Sequence, residues 1–197
     1  MSKPLRLFIA LELPARVLGA LETLQGDLRT QVPERAARWV RPAGIHLTLK
    51  FLGDVPAGQV DAITAGIREA AKPHAPFALQ AEGLGVFPNP RRARVLWVGV
   101  GGEVEALRDL HASVEGQIVP LGYPAEERAF RGHLTLARVA RNASRTEQEA
   151  LGELAARCDL GLLASWQVDS VSLMRSQLKP GGAVYTRVAE AALTGQE

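Results

Sequence analysis

The sequence predicts an α+β fold built as two similar lobes of one domain, related by a rough two-fold axis. Three observations carry this expectation. Apolar periodicity switches between strand-like and helix-like several times along the 197 residues. The tetrapeptide His-Leu-Thr-Leu occurs twice, at His46 and at His133, in a chain with only 4 histidines. The order helix, motif strand, helix, strand pair is run through twice, with no Pro/Gly/Ser-rich linker between the halves.

Taken in order, residues 4–12 alternate as a strand. The stretch from Pro14 places Val17, Leu18, Leu21 and Leu24 at helical spacing, with Pro14 suited to a first turn. A short strand around Trp39 and Val40 precedes "IHLTLKFLG", which Gly53 closes, and a helix from about 57 to 71 ends at Pro73. Residues 76–87 and 93–100 read as two strands joined by the turn "PNPRR". A helix over about 103–119 leads to the second motif strand. Ser144, with Glu147 three residues on, forms a capping-box pattern that opens another helix. Two last strands are expected over roughly 165–175 and 183–190.

Composition narrows the class. An apolar fraction of 47% is ordinary for a globular domain. The single cysteine, Cys158, excludes an intramolecular disulfide and a two-cysteine metal clamp, and fits a reducing cytoplasm. The apolar start carries Glu12 and lacks a cleavage signature, so it reads as a buried strand rather than a leader. No segment is long enough to span a membrane. Net charge is +2, and the basic side is almost all arginine apart from Lys3, Lys50, Lys72 and Lys179. Guanidinium forks match phosphate oxygens, although a GC-rich coding sequence produces the same composition.

Side chains alternate across a strand, so His46 and Thr48 point to one face while Leu47 and Leu49 point to the other. His133 and Thr135 stand in the same relation to Leu134 and Leu136. If the lobes face each other, two imidazoles and two hydroxyls converge on one cleft and can cradle a phosphate. Opening a five-membered cyclic phosphate needs a base for the attacking water and an acid for the departing ribose oxygen. Histidine, with an ordinary pKa near ~6.5, serves either role at neutral pH. Strand parity adds Arg131 and Lys50 to the cleft and sends Arg138 to the leucine face, unless the strand bulges near Ala137.

The paired motif resembles that of the two-histidine (2H) phosphoesterase superfamily. Its flanks "RLFIALELP", "WVRPAGIHLTLKFLGDV", "ARVLWVGV", "FRGHLTLARV" and "SQLKPGGAVYTRV" are most similar to the RNA 2′,3′-cyclic phosphodiesterases, or 2′-5′ RNA ligases. The resemblance covers nearly the whole chain, with the two histidines 87 residues apart. It implies two antiparallel sheets around a central cleft with helices outside, no metal or other cofactor, and hydrolysis of RNA or nucleotide 2′,3′-cyclic phosphates to 2′-phosphates. It also implies a proton donor at His46, an acceptor at His133 and a substrate-binding arginine at Arg138. Gly132 stands where relatives often carry proline, which removes no reacting group.

Other readings remain beside this one. The same acid and base serve 2′-5′ ligation in reverse, and a non-catalytic RNA-binding module is the alternative from another class. A zinc site lacks a convenient third ligand. Thr48 and Thr135 bind substrate or are simply strand formers. Phe130 and Tyr185 either stack on a base or fill the core. Arg91, Arg92 and Arg94 form an RNA-backbone patch or a solvated turn. His74 and His111 are read as structural, and Trp39, Trp97 and Trp166 as core. The expected partners are RNA with 2′,3′-cyclic ends or cyclic nucleotides, with no membrane, for a cytoplasmic monomer.

Overall fold

A computed structural model describes residues 3–140, 143–180 and 182–196; Gly181 of the tail motif lies outside them. Along the described residues run β1 (Leu5–Leu11), α1 (Ala15–Arg29), β2 (Ala37–Trp39), β3 (Leu47–Val55), α2 (Val60–Ala71), β4 (Phe77–Phe87), β5 (Val95–Gly102), α3 (Val104–Ile118), β6 (His133–Val139), α4 (Arg145–Arg157), β7 (Leu162–Val168), β8 (Ser170–Lys179) and β9 (Gly182–Ala192). None of these helices is long and apolar enough to cross a membrane.

The local rules hold at the helix ends. Pro14 stands at the N-cap of α1, which buries Val17, Leu21, Leu24 and Leu28 along one stripe. Ser144 and Glu147 form the reciprocal capping box that opens α4, a device worth ~1 kcal/mol. Two strand expectations need correction. The stretch expected as one strand over 165–175 is two, β7 and β8, which turn a corner at Asp169. No Gly or Pro marks that corner, so alternation runs through it unbroken. Gly53 does not close β3. It sits inside the strand at φ 72°, a left-handed value that glycine adopts without strain.

All neighbouring strands pair antiparallel in the order β7-β4-β5-β6-β3-β1-β8-β9, with β2 also beside β6. The sheet is two four-stranded lobes, β3-β1-β8-β9 and β6-β5-β4-β7, joined by a single residue pair, Leu47 opposite Leu134. The expected antiparallel lobes are therefore present, as the two halves of one continuous curled sheet joined at that pair. The lobes exchange elements. Helix α1 packs on β7 of the second lobe and α3 on β3 of the first, while α2 backs β8 and β9 and α4 backs β4. Leu47, Leu49, Leu134 and Leu136 all enter the core that the helices cover.

Each motif strand carries the same irregularity. Between its partners Thr48 and Lys50, β3 has an extra residue, Leu49, against the adjacent Ala10 and Ile9 of β1. Between Thr135 and Ala137, β6 has an extra residue, Leu136, against Trp97 and Leu96 of β5. A bulge inverts the parity of everything after it. Lys50 consequently turns away from the cleft, contrary to the parity expectation. Its Nζ is buried and donates to both carboxylate oxygens of Glu115 on α3 and to the Pro124 carbonyl, each at 2.8 Å. Removing one partner of such a pair leaves an uncompensated charge in the core. Glu115→Ala is therefore expected to lower the unfolding free energy by about 3 kcal/mol. The double change Lys50→Met with Glu115→Leu should recover most of it in a urea titration.

Candidate active site

The pair Leu47–Leu134 sets the geometry of the polar face. Extending its register by one residue in each direction lays His46 across from Thr135 and Thr48 across from His133. These four side chains stand on the face opposite the leucines, and all are half-buried. Beyond the pair the strands part, so the square opens into a cleft. The structure thus brings together the four motif residues that the sequence singles out.

Each imidazole is held by the backbone two residues before it. His133 Nδ1 lies 2.8 Å from the Arg131 carbonyl oxygen. A carbonyl only accepts, so Nδ1 carries the proton and Nε2 is left as the reactive nitrogen. His46 makes the equivalent bond to the backbone of Gly44. The surroundings of the two rings differ. His46 is stacked on Phe8 at 4.6 Å between centroids and meets the edge of Tyr185 at 5.0 Å. Burial pushes its pKa down to about 4, and the nearby Arg138 adds to that, against the raising effects of the Gly44 bond and Glu12. Glu12 in turn has a carboxyl below its ordinary range, because bonds from Arg187 and Ser172 outweigh its burial.

His133 faces open space. A cavity of about 540 Å³ runs beside it, lined by Phe87, Trp97, Gly99, Phe130, Arg131 and Gly132 among others. Phe87 and Trp97 approach the His133 ring at 5.1 and 6.4 Å. Trp97, expected in the core, is paired with Thr135 and so shares the polar face. Its indole lies over Gly85, where no side chain would fit. Phe130 lines this cavity with one ring face stacked on His111 at 4.1 Å. Tyr185 lies beside His46 instead. Trp166 is in the core and Trp39 is packed partly buried against it. His74 bonds Ser113 at 2.9 Å.

The bulges decide where the cations go. Past Leu136, Ala137 is buried and Arg138 is exposed on the polar face, close enough to depress His46. The residue with the same offset in the first motif is Phe51, which is 66% exposed on that face and 6.2 Å from Phe8. Neither bulge leaves its carbonyl unserved. Gln25 of α1, 1% exposed, donates through Nε2 to the Leu136 carbonyl at 2.9 Å and to the Val40 carbonyl at 2.8 Å. His111 of α3 bonds the Leu49 backbone. The sequence does not single out Phe51 or Gln25, and it assigns Trp97 to the core rather than to the polar face. Only Phe51 had a signal there, its five-residue offset from His46, which matches that of Arg138 from His133.

Two His-x-Thr strands, joined about a pseudo-two-fold axis and opening on one cleft, define the class as a two-histidine phosphoesterase. The family model described as LigT like Phosphoesterase matches residues 11–97 and again 98–185, one match for each half of the chain. The chain belongs to that family. It is 36% identical to the RNA 2′,3′-cyclic phosphodiesterase of Methanothermobacter thermautotrophicus over 182 residues, 92% of this chain and 95% of that one. A Thermus thermophilus crystal structure matches with a TM-score of 0.79 at 32% identity, covering 98% of this chain and all (100%) of the other. Escherichia coli LigT complexed with 3′-AMP matches with a TM-score of 0.75 at 28% identity, covering 98% and 99%.

In the unliganded protein the His46 ring should stay neutral down to about pH 4 in a histidine NMR titration, and Arg138→Gln should raise that midpoint. An unfolded histidine takes its proton near ~6.5. The unfolded state therefore binds more protons than the native state between pH 6.5 and about 4, and this group's contribution to stability is lost as pH falls through that window.

Proposed function

We propose that this protein hydrolyses 2′,3′-cyclic phosphate ends of RNA and nucleotides to 2′-phosphomonoesters, with His46 and His133 as the proton-transfer pair. The observation that carries this reading is the square of His46, Thr135, Thr48 and His133, set by one backbone pair. Thr48 and Thr135 donate hydroxyls to the non-bridging oxygens. Arg138 neutralises the phosphate, with Arg131 at the rim of the His133 side. Neutral His133 takes a proton from water through Nε2, the water oxygen bonds to phosphorus, and the P–O3′ bond breaks as His46 protonates the leaving oxygen. The cyclic diester and water become a 2′-phosphate and a free 3′-hydroxyl. No metal is needed for either transfer.

The donor role for His46 requires substrate. In the empty cleft the ring is neutral at pH 7, being held at about 4 by burial and by Arg138. A bound phosphate anion beside the ring favours its protonated form and also engages Arg138, so both changes raise its pKa. Phe51, exposed beside the buried Phe8 on which His46 stacks, offers apolar surface for the nucleoside attached to the leaving oxygen. A second reading has support in the cavity of about 540 Å³ beside His133, which is far larger than a water molecule. A second RNA end would occupy it in 2′-5′ joining, its 5′-hydroxyl taking the place of water in the attack on phosphorus while the P–O3′ bond breaks.

His46→Ala and His133→Ala are each expected to reduce kcat/KM on a cyclic-ended oligonucleotide by about 10²–10⁴-fold, measured in excess chelator with the fold checked by circular dichroism. Wild-type turnover in either variant would remove that histidine from the mechanism. Adding adenosine 2′-monophosphate should raise the His46 NMR titration midpoint. A midpoint that stays near 4 with ligand bound would instead make His46 the base and His133 the acid.

A further inference from the structure

The short strand β2 takes the place of β3 beside β6 once the lobes part. Its register sets Arg38 directly opposite Arg138. Directly opposed residues of an antiparallel pair point to the same face, so the two guanidinium groups share the face that carries His133 and Thr135. Both residues are exposed. Among the described residues, none of the ion pairs engages either one. Like charges placed opposite each other disfavour a strand pair. The three-residue strand is anchored by buried Ala36 and Ala37 and by the Val40 N–H bond to the Leu136 carbonyl, so the scaffold holds the two arginines side by side in spite of their repulsion. Two unneutralised arginines in line, the first beside the reacting histidine and the second one strand further out, make a track for a chain of phosphates.

We propose that Arg38 binds the phosphodiester immediately 5′ to the reacting cyclic phosphate, forming a subsite that RNA fills and a cyclic mononucleotide does not. The proposal rests on the reading that cyclic-ended RNA is a substrate, with Arg138 at the cyclic phosphate. At the 2′,3′-cyclic end of a strand the chain continues only in the 5′ direction, so the next anion out of the cleft is that phosphodiester. The arginines of the β4–β5 turn are differently placed. That turn packs against α4, with the Pro90 backbone seated over Gly152, on the helix-backed side of the lobe.

The test compares adenosine 2′,3′-cyclic phosphate with a five-nucleotide RNA bearing the same end, each over a range of salt, for wild type, Arg38→Gln, Arg38→Lys and Arg91→Gln/Arg92→Gln. Binding of a 3′-phosphorylated five-nucleotide RNA is followed in parallel by fluorescence anisotropy, which needs no turnover. For Arg38→Gln the slope of log affinity against log salt should fall by about 0.7 on the RNA, the share of one single-strand phosphate. At low salt its RNA kcat/KM should drop about fivefold, the size of one exposed charge contact, while the mononucleotide stays within twofold. Arg38→Lys should restore the slope, and the turn variant should behave as wild type. An unchanged RNA slope in Arg38→Gln would overturn the subsite. Equal losses on both substrates would place Arg38 at the reacting phosphate instead. Absence of wild-type turnover on the mononucleotide would overturn the hydrolytic reading itself, and the anisotropy slopes would still decide the phosphate contact.

Discussion

One backbone pair, Leu47 with Leu134, holds the two lobes in the register from which the rest of the site follows. Slipping that register by one residue would turn four leucines out of the core and four polar side chains into it. The cost of burying imidazoles and hydroxyls without partners, added to the cost of exposing leucines, makes the observed register the favourable one. The helices reinforce it by exchange, since α1 and α3 each pack against the opposite lobe and so resist separation of the halves.

The paired bulges then convert a symmetric scaffold into an asymmetric site. In each half the residue after the bulge enters the helix-covered side, and the next one reaches the cleft. At the buried position the chain carries Lys50 in one half and Ala137 in the other, and only the lysine needs the Glu115 carboxylate. At the cleft position it carries Phe51 and Arg138. The two-fold relation thus sets an aromatic ring near His46 against a cation from the other lobe. The neighbourhood of His46 becomes apolar and closed, while that of His133 stays open to the cavity. The depressed pKa of His46 is a consequence of that difference. The bulges are also bonded differently, the Leu136 carbonyl by the Val40 N–H together with the Gln25 amide, and the Leu49 backbone by the ring of His111. Gln25 is thus a second donor to the Leu136 carbonyl and also serves the Val40 carbonyl, tying α1 to the junction of β2 and β6.

Much of this was legible in the chain. Period switching located every helix to within a few residues, and the Ser144–Glu147 cap was readable letter by letter. The duplicated His-Leu-Thr-Leu marked both motif strands and the face on which their polar groups stand, because alternation is a property of any strand. The family followed from the same letters and their flanks, and the family model matches once on each half. Parity failed at Lys50, where the bulge is made by hydrogen-bond register and Leu49 looks like any other strand residue. It failed in the same way for the turn between β7 and β8, where no glycine or proline breaks the alternation.

The sequence by itself determined which residues are polar within apolar strands, that the pattern is repeated, and so that two histidines and two threonines share equivalent faces. Tertiary structure alone decided which cations reach those faces. Arg138 arrives through a bulge, Lys50 is withdrawn to Glu115 on a helix 65 positions away in sequence, and Arg38 is brought beside Arg138 by a strand pair spanning 100 residues. The reason is physical. Alternation and helical spacing are local and are written in neighbouring letters, whereas strand register, bulges and the partner of a buried charge are set by contacts between segments that no local pattern encodes.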